Sequence, residues 1–284
     1  MLRWPRASSS MEPVVIDNGI LALVGGLFGA VIGSFLNVCI VRWPAEQSVV
    51  KPRSRCPKCS YQITWADNIP LISWLLLGGK CRSCKQPIGA LYPAIELATA
   101  LIWAWMAWRH GLSLEALEGA FFFTVLLGIA MADAREYLIP DEFTLGGLVI
   151  GLLFAAAGGG STLLTAVIGA AVGFGVLWLV EVAGTWLFKE EAMGGGDIKM
   201  MAMAGAFLGW KGVVLTIFLG ALAGVIINAR EALTAVRKFI FPPRTPSGEK
   251  KHLPFGVFLA MGAALTYVVG PSILSWYRSF SGAM

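Results

Sequence analysis

The sequence predicts an all-α polytopic membrane protein: about eight transmembrane helices and a small cytoplasmic loop domain carrying four cysteines. Three observations carry this. Of 284 residues, 57% are hydrophobic and only 14% charged, against roughly 25% charged in soluble domains. The apolar residues gather in runs, most of them near the 20 or so residues that a bilayer crossing needs. The basic residues cluster beside those runs. No Lys/Arg stripe with interleaved aromatics lies on a polar segment, so the net charge of +5 gives nucleic-acid binding little support and reads as membrane orientation.

Residues 1–18 are polar and Ser-rich, a flexible N-terminus. The uncharged run Gly19–Val41 follows Arg3 and Arg6. It is too long for the apolar part of a signal peptide, about 7–15 residues, and no small-residue cleavage pattern follows it, so it is a retained first transmembrane helix. Gly25, Gly29 and Gly33 recur every fourth residue. Their spacing puts a smooth stripe on one helix face, suited to close helix packing.

Residues 42–90 form the sizeable polar segment, rich in Lys and Arg. The positive-inside rule makes it cytoplasmic. The rest, 91–277, is a multi-helix membrane domain. Its runs are Leu91–Trp108, Ala120–Ala132, Phe143–Ala157, Leu163–Phe188, Met200–Trp210, Val213–Ala229 and Leu253–Val269. Alternating sides from the first loop places Asp133–Glu142, Lys189–Lys199 and the basic stretch Arg230–His252 inside. The run Met200–Trp210 is short. Either Lys211 reaches the far interface or this helix enters only part-way.

Four of the five cysteines form two pairs, Cys56-x-x-Cys59 and Cys81-x-x-Cys84, 21 residues apart. This resembles paired zinc knuckles, slightly longer than the usual spacing of about 15–20. Four thiolates suit tetrahedral Zn²⁺ in a closed, structural site. A reducing cytoplasm argues against disulfides. Cys39, alone in an apolar run, reads as a small core residue.

Two acids stand at membrane edges. Asp197 follows Met193-Gly194-Gly195-Gly196 between apolar runs, and Asp133 ends the third run. An acid in such a place is a functional-site candidate. The loop alternation brings both to one depth on the cytoplasmic side. Two close carboxylates there share a proton; one acts as general base on water, the other as acid to a scissile carbonyl, as in aspartic proteases. The plainer alternatives are that Asp133 pairs with Arg135 or Lys199, that Asp197 caps a helix, and that Asp141 starts one. Glu96, at the start of a span, either pairs with a loop Arg or takes part in chemistry. The two histidines, His110 and His252, offer no competing catalytic set. A proton-coupled transporter using the two aspartates and a non-catalytic zinc-loop scaffold stay open on these residues alone.

Several further motifs resemble one known family, the type IV prepilin leader peptidases. They are Gly33-Ser34-Phe35-Leu36-Asn37, the cysteine pairs, Asp67-Asn68-Ile69-Pro70, Tyr92-Pro93 with Glu96, Asp133 with Ile139-Pro140-Asp141, Gly194-Gly195-Gly196-Asp197 and Leu253-Pro254-Phe255-Gly256. The resemblance implies a multi-pass aspartic peptidase of the bacterial inner membrane. Its substrates are type IV prepilins and type II secretion pseudopilins, cut on the cytoplasmic side after a Gly and usually before Phe. Carried over, Asp133 and Asp197 are the catalytic pair, supported by Gly194, Gly196, Lys199 and Asp141. With all four cysteines kept, the chain resembles the bifunctional kind, which then N-methylates the new amine using S-adenosylmethionine. Glu96 is the candidate for that transfer. The sequence fixes no oligomeric state.

Overall fold

The computed structural model describes residues 17–158, 160–191, 193–227 and 254–281. These form helices, with no named strand among them. The expected flexible N-terminus lies outside the described residues apart from its last two positions. The basic stretch Arg230–His252 lies wholly outside them.

Among the described residues eight α-helices follow in order: α1 (Asn18–Arg42), α2 (Ile72–Leu76), α3 (Leu91–His110), α4 (Leu114–Glu136), α5 (Asp141–Ala157), α6 (Gly160–Phe188), α7 (Gly195–Ile227) and α8 (Phe255–Ser281). By length and composition α1, α4, α6, α7 and α8 can cross a membrane. The short α2 lies in the cysteine loop. The eight expected spans therefore map onto seven long helices, with α7 holding two of them.

Helix α1 starts where the Asp17 carboxylate accepts the Gly19 N–H at 2.7 Å, satisfying one orphan donor. Its glycine stripe lies against α3 as the spacing predicts. A Cβ on Gly25 or Gly29 would run into the backbone of Trp103 or Thr99, and one on Gly33 into Glu96. The opposite face, with Leu23, Leu27, Val31 and Phe35, is exposed, as a lipid-facing side should be.

Helix α4 begins six residues before the expected third span. The Ser113 hydroxyl accepts the Ala116 N–H at 3.1 Å and caps it, so Glu115 and Glu118 sit in its first turns. The helix stops at Tyr137, whose left-handed backbone (φ 53°, ψ 33°) donates its N–H to the main-chain carbonyl of Asp133.

Helix α7 is two helices joined at Gly209, which has φ 67° and ψ 173°. Only glycine adopts that region readily. The neighbours show that the chain doubles back there. Met203 and Phe207 meet Gly147 and Gly151 in ascending order along α5, while Gly212, Gly220 and Gly224 meet Thr266 and then Phe258 in descending order along α8. The Thr216 hydroxyl donates to Thr266 at 3.1 Å. The short run thus ends at a reversal, beside Thr165 near the start of α6, and Lys211 stays by the turn with its ammonium over the Trp210 ring.

The core lies between these helices. Phe122, Ile129, Met200, Met201, Met203 and Leu259 are fully buried. At the end where the cysteine loop joins the bundle, Trp43 stacks edge-on against Phe143 at 4.5 Å between ring centres. That contact ties the loop's root to the first turn of α5.

Candidate active site

Asp133 sits one turn before the end of α4 and is 6% exposed. Its Oδ2 accepts the N–H of Val257 at 3.0 Å. Val257 is in the first turn of α8, where backbone donors have no helical partner and favour an anion.

Asp197 occupies the first turn of α7 and is 8% exposed. Its N–H donates to Gly194 O at 3.1 Å. The chain thus turns tightly just before it. Its Oδ1 is buried and has no hydrogen-bond partner among the described residues. A buried carboxylate oxygen without a donor implies a proton, a water or a ligand at that point.

Ile139 joins the two sites. A Cβ on Gly196 would lie 2.9 Å from Ile139 Cβ, and one on Gly256 would lie 2.6 Å from Ile139 Cδ1 and 2.9 Å from Asp133 Oδ2. Ile139 thus packs beside both acids, against the residue before Asp197 and against the glycine that abuts Asp133. Sequence reasoning quoted Ile139 and Gly256 only as parts of motifs and missed their placing role. Nothing local signals a contact between residue 139 and residues 196 and 256.

The supporting residues resolve differently. Lys199 Nζ contacts both oxygens of Asp141, at 2.7 and 2.8 Å. Neither Lys199 nor Arg135 forms an ion pair with Asp133 among the described residues, so that plainer reading fails. Asp141 does start a helix, in the first turn of α5. A Cβ on Gly194 would lie 3.6 Å from Asp197 Oδ2, an ordinary contact.

The cysteine loop builds a second centre. Both pairs sit in the same local turn. Cys56 N–H donates to Tyr61 O and Ser60 N–H to Cys56 O; Cys81 N–H donates to Gln86 O and Lys85 N–H to Cys81 O. Ser60 and Lys85 take matching positive φ values of 57° and 59°. The four sulfurs lie within 4.8 Å of one another, with Cys56–Cys84 at 3.8 Å and Cys59–Cys81 at 3.9 Å. Tetrahedral Zn²⁺ with Zn–S of about 2.3 Å needs sulfurs about 3.8 Å apart, so the cluster fits that metal.

Backbone groups of Cys59 and Lys58 hold the Cys56 thiol down to about 6. At Cys84 a bond from Gln86 lowers the thiol, but desolvation and the three neighbouring sulfurs outweigh it and push it up to about 11. Beside the pairs, Arg82 grips both oxygens of Asp67. The guanidinium holds that carboxyl below its usual range.

Glu96 is not part of the aspartate site. It lines a cavity of about 330 Å³ between the cysteine loop and the ends of α1 and α3. Its Oε2 accepts the Leu71 N–H at 2.8 Å, so its partner is a loop backbone group and not a loop arginine. Asn37 Nδ2 donates to Gly33 O and Tyr92 O, tying α1 to α3 at the same place.

The chain matches two family models. The bacterial peptidase A24 N-terminal domain covers residues 27–110, and the type IV leader peptidase family covers residues 120–229. A protein of Aeromonas hydrophila named prepilin leader peptidase/N-methyltransferase is 37% identical over 275 residues, covering 88% of this chain and 91% of its own length. A Pseudomonas aeruginosa protein of the same name is 36% identical, over 90% of this chain and 93% of its own. One from Myxococcus xanthus, also of that name, is 37% identical over 71% of this chain; the matched part spans 60% of that relative. No solved structure matches the chain significantly.

Proposed function

This chain belongs to the type IV leader peptidase family, and we propose that Asp133 and Asp197 are the catalytic pair of its aspartic endopeptidase. The substrates are type IV prepilins and type II secretion pseudopilins, cut after Gly and usually before Phe. The site faces the cytoplasm at the bacterial inner membrane. The carrying observation is the buried, partnerless Oδ1 of Asp197 beside a second buried carboxylate.

The hydrogen bonds support a division of roles. Asp133 receives a backbone donor at the start of α8, which favours its ionised form, so it is the general base that takes a proton from water. Asp197 has no such donor. Placed beside a like charge it keeps the shared proton and donates it to the scissile carbonyl oxygen. The Lys199–Asp141 pair holds the first turn of α7 against that of α5 and so fixes the height of Asp197. Exposed Glu136 and Glu142 lie at the same end and favour the basic leader of a prepilin.

The second activity is N-methylation of the new terminal amine. S-adenosylmethionine supplies the methyl carbon: the C–S bond breaks, an N–C bond forms, and S-adenosylhomocysteine and a proton leave. Glu96 is the candidate residue for this step. Zn²⁺ on Cys56, Cys59, Cys81 and Cys84 is structural, since four protein ligands leave no open position.

The test is cleavage of a prepilin peptide by the purified chain and by Asp133→Asn and Asp197→Asn, with mass analysis of the product amine. Both variants should be folded and inactive in cleavage. Normal processing by either one removes it from the catalytic pair.

A further inference from the structure

We propose that Glu181 of α6 is a specificity residue of the peptidase, receiving the basic side chain that stands just before the scissile Gly of the substrate. This deepens the peptidase reading given above and rests on it. Glu181 is the one charged residue in Gly160–Phe188. A carboxylate within an apolar membrane helix needs a partner or a task.

The packing of α6 on α7 gives its height. A Cβ on Gly169 would run into the Gly205 carbonyl, and one on Gly173 into the Met201 carbonyl. Leu177, the next residue on that stripe, is 2% exposed. Each four-residue step forward along α6 thus answers a four-residue step back along α7. Continued, the pairing brings Leu177 level with Asp197. Glu181, next on the same helix face, comes level with Met193, one turn beyond the acid toward the cytoplasmic side.

Its surroundings leave the carboxylate open to a ligand. Glu181 is half-buried, whereas Trp178, Leu179 and Val182 of the same turns are exposed. Its Oε1 accepts the Thr185 hydroxyl at 3.0 Å. No cation pairs with it among the described residues. A Cβ on Gly195 would meet nothing within 4 Å, so the turn before Asp197 has room beside it for an incoming chain.

A prepilin brings the complementary charge to that height. Its apolar segment follows the cut and its basic leader precedes it, so leader residues lie on the cytoplasmic side of the two aspartates. Four helical residues at about 1.5 Å each span about 6 Å. An extended chain covers that distance in about two residues of ~3.3 Å. The second residue before the cut bond, just ahead of the Gly, therefore stands at Glu181. A Lys or Arg there meets a carboxylate partly withdrawn from water, where opposite charges attract more strongly than at a free surface. Exposed Glu136 and Glu142 draw in the leader without fixing its register; Glu181 fixes it.

The test is cleavage kinetics of the full chain in nanodiscs on three prepilin peptides, with Lys, Ala or Glu directly before the scissile Gly. Wild type should prefer Lys to Ala by about 5- to 20-fold in kcat/KM, mostly through KM. That lies between the weight of a surface ion pair and that of a hydrogen bond to a charged group. The preference should shrink in high salt. Glu181→Gln keeps an acceptor for the Thr185 hydroxyl, and its melting temperature reports whether the fold is intact. Its Lys-to-Ala ratio should fall to about 1, and its discrimination against the Glu peptide should vanish with it. A Glu181 that only supports the helix would lower all three peptides by one factor and leave the ratios alone. That result, or a wild type blind to this position, overturns the proposal and leaves the peptidase reading standing. Cleavage that persists in Asp133→Asn or Asp197→Asn sinks the catalytic pair instead, whatever the ratios show.

Discussion

The backbone N–H of Val257 reaches Asp133 Oδ2 at 3.0 Å across 124 residues of chain. Asp197, the other buried acid, has an oxygen that no described donor reaches. The two Asp→Asn variants should therefore differ in stability although both lose activity. Cleavage should fall at least about 10²–10⁴-fold in each, the usual share of a general acid or base. Asp133→Asn removes the negative charge from the start of α8 and should cost about 1–2 kcal/mol. Asp197→Asn should melt at or above the wild-type temperature. Scanning calorimetry beside a peptide assay checks both halves.

The glycines before Asp197 should tolerate substitution unequally. A Cβ on Gly195 meets nothing within 4 Å, whereas one on Gly196 comes within 2.9 Å of Ile139 Cβ. Gly195→Ala should stay within about 0.5 kcal/mol of wild type, as surface changes do. Gly196→Ala should cost about 1–3 kcal/mol through overpacking and slow cleavage, because Ile139, packed beside both acids, must shift. Gly256→Ala should behave like Gly196→Ala. Equal activity for all three would refute the spacing role of Ile139.

The Lys199–Asp141 pair is bidentate but half in solvent, with 38% and 52% of the two side chains exposed. A double-mutant cycle with Lys199→Met and Asp141→Asn should give a coupling of about 0.2–1 kcal/mol, weaker in high salt. Cleavage should fall in step in both single variants and no further in the double.

Activity should depend on pH through the aspartate pair as a unit. One carboxyl must be ionised and one protonated, so the rate should fall on both sides of an optimum. The acid limb marks protonation of Asp133 and the alkaline limb loss of the shared proton. Either Asp→Asn variant should lose the bell shape along with the rate. A profile with a single limb would contradict a shared proton.

Metal removal should separate the two activities. The chain should bind one Zn²⁺, countable by elemental analysis. Chelation, or Cys→Ser at any of the four positions, should unfold the knuckles and stop methylation at doses that leave peptide cleavage largely intact. Loss of cleavage first would mean that the Trp43–Phe143 contact transmits loop unfolding to α5.

Much of this was readable from residue order. The stripe Gly25, Gly29, Gly33 foretold a close helix contact because such packing needs small residues at helical spacing, though not that α3 is the partner. Cysteine pairing foretold the sulfur cluster, and alternation of basic loops brought Asp133 and Asp197 to one end. What was not readable came from tertiary contact. The sequence offered Asp133 as a partner for Lys199, and only packing selects Asp141. The choice of Leu71 as partner for Glu96 depends on a positive φ that no glycine announces. Helix α4 outran its apolar stretch because Ser113 caps it outside the oily part of the sequence.

The reversal at Gly209 has a consequence for the surrounding lipid. From Gly195 to Leu208 the first arm of α7 reaches only about 21 Å, at about 1.5 Å per residue. The hydrocarbon layer is about 30 Å thick, so an arm of this length suits a thin bilayer better than a thick one. Comparing cleavage rates in vesicles of short-chain and long-chain lipids measures how strongly bilayer thickness governs the enzyme.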